Sequence, residues 1–346
     1  MTTSSSTSLT VLQSFPAPRP TTNPYLIMLG ESLRATPDVM VLNFSWRTAL
    51  LARYDVFHAH WPEILVSGQN PLKKLVRQAL TVALLARLRL TRTPIVRTVH
   101  NLERPHGISR IESLLLDRMD RQTALRIRLN DASDVAPGQS VLTIPHGHYR
   151  DWFARYPQAA TVDGQLGYVG LIRQYKGVEG LLEAFNGMRD HGDDLSLRIG
   201  GKPSNLELAQ TIRTLAGDDE RIVLELNFLS DAELVDIVTT SELLVLPYRF
   251  MHNSGAALAA LSLDRPILVP DNLVNRNLAA EVGDGWIYRY EGDLTGEQIA
   301  ETLAELRSLP GHDTPDLSAR DWDRAGIDHL NAYRSAMALV HKRHRP

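Results

Sequence analysis

The chain of 346 residues contains no cysteine, so no disulfide can hold the fold and no thiol can act in catalysis. No apolar stretch reaches the roughly 18 uninterrupted residues of a membrane span. The first eight residues, MTTSSSTS, lack the basic start and apolar core of a secretory signal, and their polar composition predicts disorder. We therefore expect a cytoplasmic protein, either soluble or peripheral on the inner face of the plasma membrane.

The overall charge is also low. The formal net charge is −3, with 43% apolar and 22% charged residues, which is typical of an ordinary soluble globular protein and does not favour nucleic acid as a partner. The length suggests about two domains.

Strand and helix patterns alternate along the whole chain. Strands are predicted at 9–14, 38–44, 56–60, 95–100, 125–129, 141–144, 165–170, 195–200, 222–227, 242–247, 266–269 and 285–290. Helices are predicted at 24–35, 46–53, 71–90, 109–121, 178–188, 206–216, 231–241, 255–263, 273–282 and 296–306. Such alternation predicts α/β architecture with parallel sheets and right-handed crossovers. The polar segment 156–164 predicts a boundary, giving a first domain at 1–158, a second domain at 159–317 and a C-terminal helical segment at 318–346.

The stretch GYVGLIRQYKGVEGLLEAF predicts a strand, a basic loop and an amphipathic helix. Arg173 and Lys176 lie three residues apart in this loop, at the carboxyl end of a strand, where open α/β sheets bind phosphate-bearing ligands. A planar guanidinium and a point-charge ammonium together suit a diphosphate. The alternative is a basic surface loop without a ligand.

These features resemble a GT-B glycosyltransferase with a donor half of glycosyltransferase family 4. The resemblance is carried by YVGLIRQYKGVEGLLEAF, RIVLELNFLSDAELVDIVTTSELLVLPY and MHNSGAALAALSLDRPILVP in the donor half. In the acceptor half it is carried by DVFHAH, PIVRTVHNLERPHG and IPHGHY, and at the end of the chain by ARDWDRAGIDHLNAYRSAMALV. The resemblance implies two Rossmann-like domains facing a cleft, with the C-terminal helix crossing back to the first domain. Its activity would be transfer of a hexose from a nucleotide sugar.

The sequence departs from the retaining members of that family at one helix. Where they carry two glutamates, this chain has His252 and Ala260. What remains at the helix start is Asn253, Ser254 and Gly255, whose free backbone N–H groups favour an anion such as the donor diphosphate. The structural alternative makes Ser254 an N-cap and Gly255 a packing residue.

Loss of the glutamates predicts an inverting enzyme, which needs one general base in the acceptor half. The candidates are Glu63 and His60 in HAHWPE and His100 at the end of the next strand. In the family that the sequence resembles, a His at the position of His100 contacts the transferred sugar. The alternative is that His60 is a partly buried ring donor at a strand end and that Glu63 caps a helix.

The nucleoside is expected to bind at strand ends of the donor half, at Gly200, Gly201, Lys202, Phe228 and Leu229. No metal-ligand cluster is present, because the one Asp-x-Asp, at 321–323, lies in a helical stretch. We expect neither a metal nor another cofactor, with Arg173 and Lys176 stabilising the leaving group instead.

HxHWPE with VHNLxxPH resembles a narrower group, the bacterial β-mannosyltransferases of exopolysaccharide assembly of the xanthan type. This resemblance implies GDP-mannose as donor, with a UDP-sugar as the other candidate, and a lipid-linked saccharide or glycolipid as acceptor. Two other functions remain open on this fold: a sugar-nucleotide epimerase, and an inactive sugar-nucleotide-binding partner protein.

The acceptor half contains a strongly basic region. Residues 64–102 include no Asp or Glu but seven Lys or Arg, five of them on the helix predicted at 71–90. Helical spacing places Lys73, Arg77 and Arg87 on one face with Leu80, Leu84 and Leu88, and Lys74 lies beside them. This pattern predicts an anionic membrane surface as a partner. The alternative is a core helix with snorkelling cations.

Overall fold

A computed structural model of the chain describes residues 8–19, 21–68, 70–101, 107–132, 138–188, 194–249, 251–309 and 314–342. The chain forms two compact units, one of residues 1–147 with 320–346 and one of residues 148–319. The expected disorder of the N-terminus concerns residues that, apart from residue 8, lie outside the described ranges. The same holds for residues 102–106 of the VHNLxxPH motif.

The first unit is a parallel sheet in the order β2-β1-β3-β4-β5-β6. Its strands are β1 (Leu9–Gln13), β2 (Val39–Leu42), β3 (Val56–Ala59), β4 (Ile95–Val99), β5 (Thr123–Arg128) and β6 (Val141–Thr143). Its helices are α1 (Pro24–Ala35), α2 (Trp46–Leu51), α3 (Glu63–Val66), α4 (Pro71–Leu90), α5 (Arg110–Gln122) and α13 (Trp322–Lys342).

The second unit repeats this architecture with the sheet order β12-β11-β10-β7-β8-β9. Its strands are β7 (Gln165–Val169), β8 (Ser196–Gly200), β9 (Ile222–Glu225), β10 (Leu243–Val245), β11 (Ile267–Pro270) and β12 (Ile287–Tyr290). Its helices are α6 (Arg150–Phe153), α7 (Val178–Asn186), α8 (Leu206–Ala216), α9 (Asp231–Thr240), α10 (Gly255–Ser262), α11 (Leu273–Val282) and α12 (Gly296–Ser308). All strand pairs of the described residues are parallel, as the alternating pattern predicts.

Local sequence signals account for the helix starts. Asn70 caps α4 by accepting from Leu72 N at 2.9 Å, with Pro71 at the first helical position. Ser230 and Glu233 form the expected capping box of α9. The two four-residue helices α3 and α6 were not predicted, because single turns carry too little periodic pattern to be recognised.

Helix α13 packs on the first unit against α1. A Cβ added to Gly326 would lie 2.2 Å from Thr36 Oγ1, and one added to Gly147 would lie 2.3 Å from the Trp322 ring. Glycine is therefore what lets α13 approach this closely. The C-terminal helix thus lies on the first unit, as the resemblance implied.

The boundary between the units lies at 147/148 rather than at 158. The segment after Gly147 is bound into the second unit. Tyr149 N donates to Ser262 Oγ at 2.8 Å, and Trp152 Nε1 donates to an Asp231 carboxylate oxygen at 2.9 Å. The polarity of the segment 156–164 reflects its exposure to solvent, but it does not indicate where the chain passes from the first unit to the second.

The prediction that the face of α4 with both leucines and cations is turned outward is wrong. Leu84 and Leu88 are fully buried in the core of the first unit, with Phe57 and Leu12. Three of the four cations on or beside that face are held by the protein. Lys74 Nζ lies 2.6 Å from a Glu112 oxygen, Arg77 donates to Ser67 O at 2.8 Å, and Arg87 donates to Ala49 O and Ala52 O.

Candidate functional site

The basic loop of the second unit is shaped by two glycines. β7 ends before Gly170, and the chain turns through residues 174–176 to Gly177, which starts α7 at a φ of 66°. A Cβ on Gly177 would lie 2.2 Å from Pro247 O, so the turn requires glycine both for its conformation and for its packing. This turn fixes the direction in which Lys176 leaves the loop.

Lys176 is positioned by Tyr248. Its Nζ donates to Tyr248 Oη at 3.2 Å and lies 4.7 Å from the centre of that ring. Tyr248 is itself buried just after β10, and burial, together with the neighbouring Tyr248, raises the pKa of Tyr168. The ammonium is therefore held in a defined place before any ligand binds.

Lys176 and the start of α10 meet at Gly170. A Cβ at Gly170 would lie 3.5 Å from Lys176 Nζ and 3.9 Å from the Ala256 Cβ. At this helix start Ser254 is the N-cap, and its Oγ accepts from Ala257 N at 3.2 Å. Among the described residues, none accepts a hydrogen bond from the N–H of Gly255 or Ala256. The ammonium therefore lies near the start of α10, and a cation beside a helix N-terminus suits an anion.

Arg173 and Asn253 are the other two residues predicted for the diphosphate. The Arg173 side chain is exposed and forms no ion pair with any described residue, so it is available to a ligand. Asn253 lies directly before the N-cap and is half-buried. The sequence predicted this set of diphosphate-binding residues, and the structure places Lys176 and Gly255 at the same sheet edge; their binding role stays a prediction.

The predicted nucleoside residues divide into packing and exposed groups. Gly200 and Gly201 are buried, and a Cβ on Gly201 would lie 1.8 Å from Gly170 O. Leu229 is half-buried beneath Gly200. Lys202 is exposed, and Phe228 is 64% exposed, which leaves an ammonium and an aromatic face for a base to contact.

The two positions that lack glutamate lie on α10 and just before it. Ala260 is fully buried inside the helix, and His252 is half-buried with a pKa lowered by burial. Neither offers a carboxylate to a sugar. Asp321 and Asp323 are exposed at the start of α13 with the Trp322 ring buried between them, as predicted for a helix start.

In the first unit, polar side chains meet at the carboxyl ends of three adjacent strands. Gln13 follows from β1, His58 and His60 from β3, and Thr98 and His100 from β4. His60 Nδ1 lies 3.2 Å from His100 Nε2, and His60 Nε2 lies 2.9 Å from Gln13 Oε1. The parallel order β1-β3-β4 is what brings them together.

Burial controls the charge of this histidine cluster. It lowers the pKa of His60 to about 3. It lowers to about 4 the pKa of His329, whose ring centre lies 5.6 Å from that of His58, and the pKa of His146, whose ring centre lies 4.5 Å from that of Tyr25. Burial, with the neighbouring histidines, also lowers the pKa of His58 and His100 well below 6.5. Desolvation disfavours the charged imidazolium, so these rings are neutral near pH 7.

Only two of the three candidate bases keep a free proton-accepting atom. His60 is buried and both of its ring nitrogens are already hydrogen-bonded, so it cannot contact a substrate directly. Glu63 is half-exposed at the first residue of α3, without a capping hydrogen bond. His100 is half-buried and stacked on Trp61, with ring centres 4.0 Å apart.

Comparison with known proteins gives the family. No protein-family model matches the chain. Over 331 residues the chain is 44% identical to the GDP-mannose:glycolipid 4-β-D-mannosyltransferase of Xanthomonas campestris pv. campestris, covering 95% of this chain and 93% of the relative. The chain belongs to this mannosyltransferase family.

Solved structures agree on the fold of this glycosyltransferase. Anabaena HepE, in complex with UDP-glucose, has a TM-score of 0.59 at 13% identity and covers 96% of this chain and 98% of its own. Sucrose-phosphate synthase from Thermosynechococcus elongatus has a TM-score of 0.59 at 12% identity, covering 96% and 97%. The fold is therefore of the GT-B class, and family membership decides for a glycosyltransferase over an epimerase or an inactive partner protein.

Several residues around the glycosyltransferase site were not predicted from the sequence. Tyr248 holds Lys176, while Gln13 and Tyr333 hold the histidines. Tyr248 and Tyr333 lie inside stretches that carry the family resemblance, but no local signal marks their roles, since each matters only through a partner distant in sequence. The one available signal is that Gln13 ends an apolar strand next to the strand that carries DVFHAH.

Proposed function

We propose that this enzyme transfers mannose from GDP-mannose to a glycolipid, with inversion at the anomeric carbon and without a metal ion. The observation that carries the proposal is the 44% identity, across nearly the whole of both chains, to a relative named for that donor, that acceptor class and a β-linked product. The donor sugar in GDP-mannose is α-linked, so a β-linked product requires inversion.

The diphosphate of the donor would bind between Lys176 and the N–H groups of Gly255 and Ala256, with Arg173 of the same loop as a second cation. Lys176 and the N–H groups are in place before the sugar bond breaks, and together with Arg173 they stabilise the negative charge that develops on the departing GDP. Two cations and a helix N-terminus can therefore serve in place of a divalent metal. Among the described residues there is no cluster of His, Asp and Glu that would hold one.

Inversion follows from a single displacement. The acceptor hydroxyl attacks the anomeric carbon from the face opposite the diphosphate, its proton passes to a base, and the bond to GDP breaks. The absence of a carboxylate at positions 252 and 260 supports this route. The base is drawn from Glu63 and His100, which keep accessible proton-accepting atoms.

Two measurements test the proposal. Thermal-shift titration with GDP and with UDP should show stabilisation by GDP at the lower concentration, since a ligand stabilises the state that binds it. NMR of the purified product should then show a β-mannosidic linkage. An α-linked product, or transfer from a UDP-sugar in preference to GDP-mannose, would refute it.

The same proposal includes docking on anionic lipid, through the outward face of α4 together with α5. In the structure this face carries Leu72 and Leu75, 70% and 61% exposed, with exposed Val76 and Val82 on the same stripe. α5, joined to α4 through Glu112 and Lys74, adds exposed Ile111 and Leu114.

Cations surround this patch. Exposed Lys73 and Arg89 lie on α4, and exposed Arg110, Arg118 and Arg121 lie on α5. Apolar side chains rimmed by cations match the interfacial region of an anionic bilayer, where a glycolipid acceptor resides. No described helix is both long enough and apolar enough to cross a membrane.

A further inference from the structure

Five hydrogen bonds form one continuous chain through the first unit. From His100 Nε2 it runs to His60 Nδ1 (3.2 Å), from His60 Nε2 to Gln13 Oε1 (2.9 Å), and from Gln13 Nε2 to Tyr333 Oη (3.2 Å). It continues from Tyr333 Oη to His58 Nδ1 (2.9 Å) and from His58 Nε2 to Thr98 Oγ1 (2.8 Å). All members between the two ends are buried.

The amide of Gln13 gives this chain a direction. Its Oε1 can only accept, so His60 must carry its proton on Nε2. The Gln13 Nε2 can only donate, so Tyr333 Oη accepts from it and donates its own hydrogen to His58 Nδ1. His58 then donates from Nε2 to Thr98.

The direction determines the state of His100. A neutral imidazole carries one N–H, and burial keeps the pKa of both His60 and His100 low enough for the neutral form near pH 7. With its proton on Nε2, His60 offers a bare Nδ1, so His100 must donate to it from Nε2. Nδ1 of His100 is then unprotonated, and it has no hydrogen-bond partner among the described residues.

We propose that Gln13, acting through His60, holds His100 in the Nε2–H tautomer and so makes His100 Nδ1 the acceptor of the proton from the attacking glycolipid hydroxyl. This inference rests on the proposed function. His100 is the catalytic residue, and Gln13 and His60 are positioning residues.

The step balances within the proposed displacement. The hydroxyl oxygen forms the bond to the anomeric carbon, and its proton moves to Nδ1 of His100. The bond from that carbon to the diphosphate oxygen breaks, and its electron pair leaves with GDP. The resulting imidazolium still donates from Nε2 to His60, and it loses its new proton to solvent after product release.

The other neighbours of His100 restrict its ring but do not set its tautomer. Trp61 stacks on the ring and Tyr25 meets it edge-on at 5.3 Å, and both restrict its rotation. Among the described residues, no carboxylate contacts either ring nitrogen, so the hydrogen bond to His60 is what sets the tautomer. The charged or titratable groups nearby are His60, His146 and Arg97.

Long-range proton–nitrogen NMR of the full-length protein, labelled with ¹⁵N-histidine, tests the tautomer directly. His100 is assigned from the signal lost in His100→Gln. We expect an unprotonated Nδ1 and a protonated Nε2 in the wild-type protein. A protonated Nδ1 would mean that the Gln13 amide is turned over and the chain runs the other way, and it would overturn the proposal.

Substitutions at Gln13 test whether this residue positions His100 or only fills space in the core. Gln13→Met keeps the volume but removes both polar atoms, and it should mix the two tautomers of His100 and lower kcat about tenfold to a hundredfold, with KM for GDP-mannose unchanged. Gln13→Glu keeps the acceptor for His60 and should restore the tautomer and much of kcat. Thr123→Val, which removes a buried hydroxyl of the first unit outside these hydrogen bonds, is the control and should leave both unchanged.

Two outcomes would contradict the proposed roles of Gln13 and His100 in catalysis. A Gln13→Met protein that keeps the wild-type tautomer, or a His100→Gln protein with wild-type kcat, would overturn it. Failure of this inference can be distinguished from failure of the proposed function. Wild-type enzyme that does not turn over GDP-mannose would refute the function, whereas the tautomer of His100 is measured without turnover. If Gln13→Met fails to fold, the wild-type spectrum and the Gln13→Glu variant still decide.

Discussion

At the scale of single residues, Lys176 shows how the donor site is prepared in advance. Tyr248 holds its ammonium by a hydrogen bond and by its ring face, so little side-chain freedom is left to lose when a diphosphate binds. Arg173, by contrast, is exposed and has no such support. The two cations should therefore differ in how strongly each contributes to donor binding.

Replacing Lys176 by Ala should weaken GDP-mannose binding by roughly 1.5–3 kcal/mol, the range for hydrogen bonds to charged groups. Arg173→Ala should weaken it by less, because the exposed guanidinium must be ordered on binding. Isothermal titration calorimetry measures both. Arg213→Ala, an exposed arginine on α8, is the control. Wild-type affinity in both site variants would remove these residues from the diphosphate site.

At the scale of elements, close helix packing in the first unit depends on a missing side chain. Gly326 on α13 faces Ser32 and Thr36 at the end of α1 so closely that a methyl group would overlap them. A Cβ added to Gly180 on α7 would have no atom within 4 Å, so the same substitution there meets open space. The two glycines form a matched pair.

Gly326→Ala should destabilise the protein by about 1–3 kcal/mol, the usual cost of overpacking. Gly180→Ala should be neutral or should stabilise by up to about 1 kcal/mol, because alanine is the better helix former. Urea denaturation followed by circular dichroism compares them. Equal stability of the two variants would show that α1 and α13 are not packed as described.

Helix α4 supplies the second prediction at this scale. Leu72→Ser with Leu75→Ser should strongly reduce sedimentation with anionic vesicles, since each buried Leu contributes about 1.5–3 kcal/mol to apolar burial. Lys73→Glu should weaken binding further and in a salt-dependent way, at about 1 kcal/mol per cation. Lys74 and Arg77 are unsuitable for this test because they bind Glu112 and backbone carbonyls.

Leu206→Ser is the matched control for the vesicle experiment, because Leu206 is 89% exposed on α8 in the other unit. All variants should retain donor binding. Vesicle binding that survives the α4 changes and is insensitive to salt would place the membrane contact elsewhere.

At the scale of the whole molecule, the buried histidines predict a pH dependence of stability. Unfolded histidine has a pKa near 6.5, while His60, His146 and His329 have folded values of about 3, 4 and 4. Between these limits the unfolded state binds more protons, so stability is complete above pH 6.5 and is lost as pH falls toward 4.

The melting temperature should therefore fall measurably between pH 6.5 and 5, above the range in which most carboxylates titrate. Each histidine that takes up a proton only on unfolding adds about 1.4 kcal/mol per pH unit to the slope. His329→Gln should reduce the slope by about one such proton. Differential scanning fluorimetry across this range measures the effect, and a flat profile would contradict the neutral, buried state of the cluster.

The elements of the fold and their order can be read from the amino-acid sequence. Apolar runs of strand length alternating with amphipathic helices leave parallel sheets as the way to bury both, and Asn, Ser and Pro placed before the helices mark where they start. The basic loop after β7 was also predictable, because a strand, a glycine and closely spaced cations are local features. In each of these cases the physical cause acts within a few residues.

Two further features depend on contacts between distant parts of the chain. Gln13 and Tyr333 are 320 residues apart, and only the sheet order and the return of α13 bring them to the histidines, so no local pattern could reveal the chain they form. Helix α4 carries Leu on every side, so its own periodicity does not choose a face. The orientation of α4 is decided by packing against the core around Phe57, which buries Leu84 and Leu88 and leaves Leu72 and Leu75 exposed.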